Sequence, residues 1–268
     1  MLVVGDGIID EYVYVRPQGK SPKENIISNK IGDTEQFSGG VWAASKHVKG
    51  FVAEVAVADG EKYVVKRRYV EQGYIRKLFE THQDKYSEGF SWVKVSEYDL
   101  VIVTDFGHGA VQKWMIEDMV KEAKFLAVNA QTNSANHGFN LITKYPRADY
   151  VVIDELEARL AAHDRESSIE DVILKLGFQR IIVTLGPNGA IGYDGQFHRE
   201  KGKSALVVDT MGAGDAFFCV TAPFAAAGAS MPELLKIGNA AGAIKCSVVG
   251  HRQPVTKEAL IQYLGAGS

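Results

Sequence analysis

The stretch Val207-Val-Asp-Thr-Met-Gly-Ala-Gly-Asp-Ala-Phe217 decides how this chain is read. An apolar run enters Asp209 and Thr210, passes through Gly212-Ala213-Gly214-Asp215 and opens a long helix rich in small residues. A strand-to-helix turn of this kind aims several backbone N–H groups at one point, with the positive end of the helix dipole behind them, and so binds an anion. Asp215 falls in the first turn of that helix. A carboxylate beside an anion hole suits phosphoryl transfer, because the amides hold the developing charge while the carboxylate takes a hydroxyl proton. The structural alternative is a glycine-rich turn with Asp215 as an ordinary helix-end charge. The full run, unlike a lone Gly-x-Gly, favours the functional reading.

Outward from this motif, short apolar runs bounded by turns recur at 1–5, 53–58, 99–104, 125–129, 149–153, 180–185 and 205–208. Helically spaced segments lie between many of them, at 40–48, 111–123, 154–162 and 167–176. The alternation predicts an α/β fold with a mostly parallel sheet covered by helices on both faces. Residues 11–37 and 62–80 break the pattern with alternating polar and apolar side chains rich in Tyr, Val and Ile. They predict antiparallel strands with one solvated face. These form either a small β lid that excludes water from a site beneath it or a pair of surface hairpins. Residues 213–228 and 231–248, dense in Ala and Gly, predict two closely packed helices. No repeat or linker divides the chain, so residues 1–268 read as one domain with a lid.

Composition narrows the function classes. With 46% hydrophobic and 24% charged residues and a net charge of -3, the chain lacks the basic surplus that nucleic acid or an anionic membrane would demand. Two cysteines, Cys219 and Cys246, argue against a disulfide scaffold or a zinc site. No apolar run reaches transmembrane length, and Met1-Leu-Val-Val-Gly5 lacks the basic region of a signal peptide. A cytoplasmic location is therefore expected. Gly5-Asp-Gly7 does not complete a dinucleotide fingerprint, because Asp10 stands in place of the third glycine.

At Asp209-Thr-Met-Gly-Ala-Gly-Asp215 the chain resembles the ribokinase-like (PfkB) carbohydrate kinases. The likeness extends through Val3-Val-Gly-Asp-Gly-Ile-Ile-Asp10, Ser21-Pro22, Gly39-Gly40, Thr104-Asp-Phe-Gly-His-Gly109, Val183-Thr-Leu-Gly-Pro-Asn-Gly189 and Gly238-Asn-Ala-Ala-Gly-Ala243. Within that superfamily the pattern is nearest the heptose 7-phosphate kinase domain of ADP-heptose biosynthesis. The resemblance implies a ribokinase-like three-layer αβα sandwich with a small β lid, ATP as donor and Mg²⁺ as its partner. The acceptor would be a sugar or sugar phosphate. By the same resemblance, Asp215 is the base and Gly212, Ala213 and Gly214 form the anion hole. Thr184, Gly186 and Gly189 line the nucleotide phosphates and ribose, and Asn239 lies beside the adenine. Asp10, Gly39 and Gly40 hold the sugar. Glu157, with Asp154 in the Asn position of an Asn-x-x-Glu motif, organises Mg²⁺ through the phosphates. Asp209 is a candidate ligand for a monovalent cation such as K⁺, and the lid is a candidate homodimer surface.

The residues themselves leave some of these roles open. Asp10 also reads as a turn-starting Asp. Asp154 and Glu157 are what a capped helix start looks like, and tight turns alone explain Gly186 and Gly189. The chain also departs from the family. Val41-Trp42-Ala43-Ala44 offers no amide where an Asn usually meets the sugar. His108, read as a surface-loop residue, replaces a Lys of the heptose kinases. A helix and strand are missing between Asp59 and Lys62. Arg16, Lys20, Lys23, Arg67, Arg68 and Arg76 either bind an acceptor phosphate or decorate a solvated strand face. Two functions follow: a carbohydrate kinase, or a nucleotide-binding regulatory protein of the same fold that has lost catalysis.

Overall fold

The computed structural model describes residues 1–74, 76–87, 90–202 and 207–265. Strands β1 (Leu2–Gly5), β2 (Gly7–Lys20) and β3 (Ile27–Gly39) lead into helix α1 (Gly40–Lys49), then β4 (Ala56–Ala58), β5 (Lys62–Glu71) and β6 (Arg76–Tyr86). The middle of the chain supplies β7 (Val101–Asp105), α2 (Lys113–Glu122), β8 (Leu126–Ala130), β9 (Tyr150–Asp154), α3 (Glu155–Ala162) and α4 (Ile169–Leu176). After β10 (Ile181–Thr184), β11 (Ala190–Tyr193) and β12 (Phe197–Glu200) come α5 (Ala213–Ala226), α6 (Met231–Cys246) and α7 (Lys257–Gly265).

The main sheet has eight strands in the order β12-β11-β10-β9-β8-β7-β1-β4. Every pair from β10 to β4 is parallel, and β11 and β12 add antiparallel at one edge. The central strands are buried on both faces because helices cover both, which is why β7 and β10 are almost wholly apolar. On one face Met115, Met119, Ala158, Val172 and Ile173 of α2, α3 and α4 pack on Val4, Val103, Val128, Ile153 and Val183. On the other, Val41 and Val48 of α1, Phe217 and Phe218 of α5 and Leu234 and Leu235 of α6 pack on Val3, Ile102, Val152 and Ile182. The fold is the three-layer αβα arrangement expected.

The apolar run at 205–208 is not a strand where it can be described. Val207 and Val208 are exposed and irregular, and residues 205 and 206 lie outside the described residues. The backbone N–H groups of Val208 and Asp209 both donate to Cys246 O, at 2.8 and 3.1 Å. The approach to the glycine turn therefore hangs from the C-terminus of α6.

A second sheet of four strands, β3-β2-β5-β6, forms the lid. Its hairpins β2–β3 and β5–β6 are antiparallel as expected, but β2 and β5 pair in parallel. The cause is continuity with the main sheet. β1 and β4 are parallel neighbours, β2 follows β1 after Asp6 alone, and β5 follows β4 after Asp59-Gly60-Glu61. Both strands thus carry the direction of the main sheet into the lid. It begins at Gly7 and reaches Tyr86, wider than the 11–37 and 62–80 predicted; Ile75 lies outside the described residues.

The short Asp59–Glu61 step stands where the sequence lacks a helix and strand. Trp42 secures it, donating Nε1–H to Asp59 Oδ2 at 2.9 Å and leaning on Tyr63 with ring centroids 6.0 Å apart.

Candidate active site

The glycine turn folds as its sequence suggests. Gly212 is the N-cap of α5 and adopts φ +73°, a left-handed conformation that favours glycine. Ala213 N–H donates to Thr210 O at 3.3 Å and closes the turn. A Cβ on Gly214 would meet none of the described residues within 4 Å. The first N–H groups of α5 have no acceptor inside the helix, and its dipole adds positive potential there.

Asp215 lies in the first turn of α5. Its Oδ1 accepts a short hydrogen bond from Gln131 Nε2, and Gln131 Nε2 also donates to Asn129 Oδ1 at 2.8 Å. Burial pushes the Asp215 carboxyl above its ordinary range, while His251, the Gln131 bond and Lys245 pull it back and Asp10 adds to the rise. A carboxylate held by one amide and raised in pKa is suited to accept a proton.

Asp10 reaches this cluster from the lid. It lies on β2, past the end of β1, rather than at the edge of a main-sheet strand. Its Oδ1 is ion-paired with Arg68 Nη1 of β5, and its Oδ2 is 3.5 Å from His251 Nε2. Gly39 makes room for it, since a Cβ there would stand 2.1 Å from Asp10 Oδ2. Gly40, at φ +55°, closes the base of the lid, where a Cβ would meet Asp6 O at 2.2 Å. His251 is the bridge between the two halves. It is buried, lies close to Asp10, interacts electrostatically with Asp215 and touches the underside of Gly212. Burial lowers its pKa against the pull of both carboxylates.

Asp154 and Glu157 form a reciprocal cap on α3. Asp154 Oδ1 accepts Glu157 N–H at 2.8 Å and Glu157 Oε2 accepts Asp154 N–H at 2.8 Å. Glu157 Oε1 also accepts Thr132 N–H at 2.9 Å. Burial, then Asp154, pushes Glu157 up to about 8. Asp154, Thr184 and Gly186 line an open cleft of about 540 Å³ together with Arg159 and Arg165. Gly189 and Asn239 meet at another wall. A Cβ on Gly189 would stand 2.1 Å from Glu200 O, and Asn239 Nδ2 donates to the same carbonyl at 3.2 Å. Close backbone approach therefore explains Gly189.

Asp209 is fully engaged. Its Oδ2 accepts Tyr12 O–H and Gly250 N–H, both at 3.0 Å; its Oδ1 accepts Lys77 at 3.0 Å and Met211 N–H at 3.1 Å. Burial would raise its pKa, but these donors hold it below the ordinary range.

Of the six basic lid residues singled out in the sequence, Arg68 turns inward. Arg16, Lys20, Lys23, Arg67 and Arg76 are on the solvated side, Arg67 paired with Glu11 and Arg76 with Glu71. Lys66, on the inner face of β5, escaped the sequence reading. It is 6% exposed and forms no hydrogen bond to the described residues. His108 is no surface residue: it is buried, its Nε2 has no partner among the described residues, and its ring lies 6.3 Å from that of His82. Burial, then Lys66, pushes its pKa down to about 4. Gln131 and His251 were missed as well. The available signal was a polar group directly after an apolar strand in one case and a loop between helices in the other.

A doubly covered α/β sheet with a second small sheet beside a glycine turn and the Asp215 carboxylate is the setting in which comparison with known proteins places a sugar kinase of the carbohydrate kinase class. Residues 84–258 match the pfkB family of carbohydrate kinases, and the chain belongs to that family. It is similar to the bifunctional protein HldE of Hydrogenovibrio crunogenus, at 25% identity over 307 aligned residues covering 99% of this chain and 63% of that protein. The chain thus spans less than two thirds of that relative's length. Its fold is similar to ribokinase from Thermotoga maritima, with a TM-score of 0.71 at 17% identity covering 98% of each chain. A nucleoside kinase of Burkholderia thailandensis in complex with inosine gives 0.73 at 13% identity, covering 100% of this chain and 97% of that one.

Proposed function

We propose that the chain transfers the terminal phosphoryl group of ATP to a hydroxyl of a heptose-phosphate-like sugar. The observation that carries this reading is the placement of Asp215. It stands in the first turn of α5 behind the Gly212–Gly214 turn, fixed by Gln131, with Asp10 of the lid linked to it through His251. Asp215 takes the acceptor proton as the hydroxyl attacks. The turn of Gly212, Ala213 and Gly214 holds the charge developing on the transferring phosphate. Thr184, Gly186 and Gly189 line the donor phosphates and ribose, with Asn239 beside the base, and Asp10, Gly39 and Gly40 orient the sugar.

Glu157 and Asp154 fit a role in holding Mg²⁺ through the phosphates and their water. A buried carboxylate disfavoured as an anion gains from a nearby cation, and each Glu157 oxygen keeps a lone pair beyond its backbone bond. Mg²⁺ would neutralise charge on the donor phosphates.

Two observations support a phosphorylated acceptor. The motif resemblance is to heptose 7-phosphate kinases. The inner face of the lid also carries Lys66 and His82 beyond Asp10, with the neutral His108 ring of the loop after β7 facing His82, a set of hydrogen-bond donors for the far end of the sugar. A homodimer through the lid belongs to the same reading, because Ile27 and Ile31 of the edge strand β3 are exposed.

Asp215→Asn is the deciding experiment. Nucleotide binding and fold are retained, while ADP release with a panel of sugar phosphates falls by about 10³-fold or more. Normal turnover by this variant would overturn the mechanism. A second reading, a nucleotide-binding regulator without catalysis, draws on the Arg68 ion pair that already engages Asp10. Wild-type protein that binds ATP and turns over no acceptor in the panel would favour it.

A further inference from the structure

Lys245, in the last turn of α6, is 1% exposed. Its ammonium donates to Met211 O at 2.9 Å and to Gly250 O at 2.6 Å. Met211 immediately precedes Gly212, and Gly250 immediately precedes His251. One side chain thus ties together the loop bearing the glycine turn and the loop bearing the bridging imidazole. It also lies directly behind the turn, since a Cβ on Gly212 would stand 3.3 Å from Lys245 Cε.

Burying an ammonium is costly unless it is hydrogen-bonded and balanced by opposite charge. The balance here comes from the negative end of α6 and from Asp209 and Asp215, which oppose the effect of burial on its pKa.

The resemblance to ribokinase-like enzymes implies a monovalent cation at Asp209 and nearby carbonyls. The residues present do not fit one. Four donors occupy the two oxygens of Asp209, the full complement of a carboxylate. The carbonyls of Met211 and Gly250 face an ammonium instead.

We propose that Lys245 is a built-in cation, a positioning residue that does the work of a bound monovalent ion behind the Gly212 turn, so that phosphate binding there needs no potassium. This rests on the reading of that turn as the phosphate site. The fixed charge adds to the dipole of α5, and the two carbonyl bonds hold the turn in its left-handed form.

The test is calorimetric titration of the protein with a non-hydrolysable ATP analogue and Mg²⁺, which requires no acceptor. Wild-type affinity should agree within about twofold in potassium chloride and in tetramethylammonium chloride at equal ionic strength, because the larger ion cannot enter a buried site. Lys245→Ala, which opens a space of ammonium size, should lose about tenfold or more in tetramethylammonium and recover in potassium or ammonium chloride. Wild-type affinity that rises about tenfold on adding potassium overturns the proposal. So does a Lys245→Ala variant that binds like wild type in tetramethylammonium. Should that variant not fold, the wild-type titration decides alone. Wild-type protein that binds no nucleotide in any salt overturns the phosphate-site reading itself, a failure distinguishable from potassium dependence.

Discussion

Gln131 and His47 show how much one polar side chain can decide. Gln131 donates to Asp215 and so lowers a pKa that burial has raised. Gln131→Leu removes that donor, and the Asp215 pKa rises further. Because the proposed base must be ionised to act, the acid limb of kcat/KM should move to higher pH, and kcat should fall about 10- to 100-fold. A pH–rate series on both proteins checks this. His47, on α1, is buried and accepts Val255 N–H on Nδ1 at 3.0 Å; burial, first, pushes its pKa down to about 3. The unfolded chain binds a proton at about 6.5, so below that pH unfolding takes up a proton the folded state refuses. Stability present above pH 6.5 is lost as the pH falls toward 3, by about 2 kcal/mol at pH 5. His47→Asn keeps an acceptor near Nδ1 without the titration, and its melting temperature should fall less steeply between pH 7 and 4.

At the scale of the element, the lid strands carry the residues proposed for the acceptor side, and glycines at their ends are fixed by neighbours. Gly39→Ala places a methyl against Asp10 Oδ2, where the gap is 2.1 Å. The carboxylate must shift, so KM for the sugar rises about tenfold or more while nucleotide affinity is unchanged. Steady-state kinetics beside a nucleotide titration separates the two effects. The lid strands were legible in sequence because 11–37 and 62–80 alternate polar and apolar side chains rich in Tyr, Val and Ile, but alternation does not specify a strand's partner or its direction. The parallel β2–β5 pair follows from β1 and β4 beneath it, a tertiary fact. The same limit hid Lys66 among basic neighbours. Continuous runs such as Val101–Asp105 and Ile181–Thr184 posed no such problem, since burial on both faces leaves its mark in every residue.

Over the whole molecule, the motif Gly212–Asp215 was legible because its residues are contiguous. Its supports were not, because Gln131, Lys245 and His251 arrive from just past β8, from α6 and from the loop beyond it, and single polar residues carry no pattern of their own. The exposed edge of the lid leads to a test of assembly. Ile27 and Ile31 are 62% and 63% exposed on one face of β3. Ile27→Asp with Ile31→Asp should convert a dimer to a monomer in sedimentation experiments, with the melting temperature changed by no more than about 4 °C, since neither side chain is buried in the single chain.

The direct passage of β1 into β2 and of β4 into β5 divides labour along the chain. Asp10, Lys66 and Arg68 share one inner surface of the small sheet, whereas Asp215 and Lys245 stand on helices α5 and α6 and Gln131 follows β8 of the large one. Three of the four passages between the lid strands and the core are short, glycine-bearing junctions, Gly5-Asp6-Gly7, Gly39-Gly40 and Asp59-Gly60-Glu61. The β2–β3 hairpin is bounded by two of these junctions, so natural or laboratory recombination could exchange it between relatives as a unit. The hybrid would inherit its taste in sugars from one parent and its phosphoryl chemistry from the other.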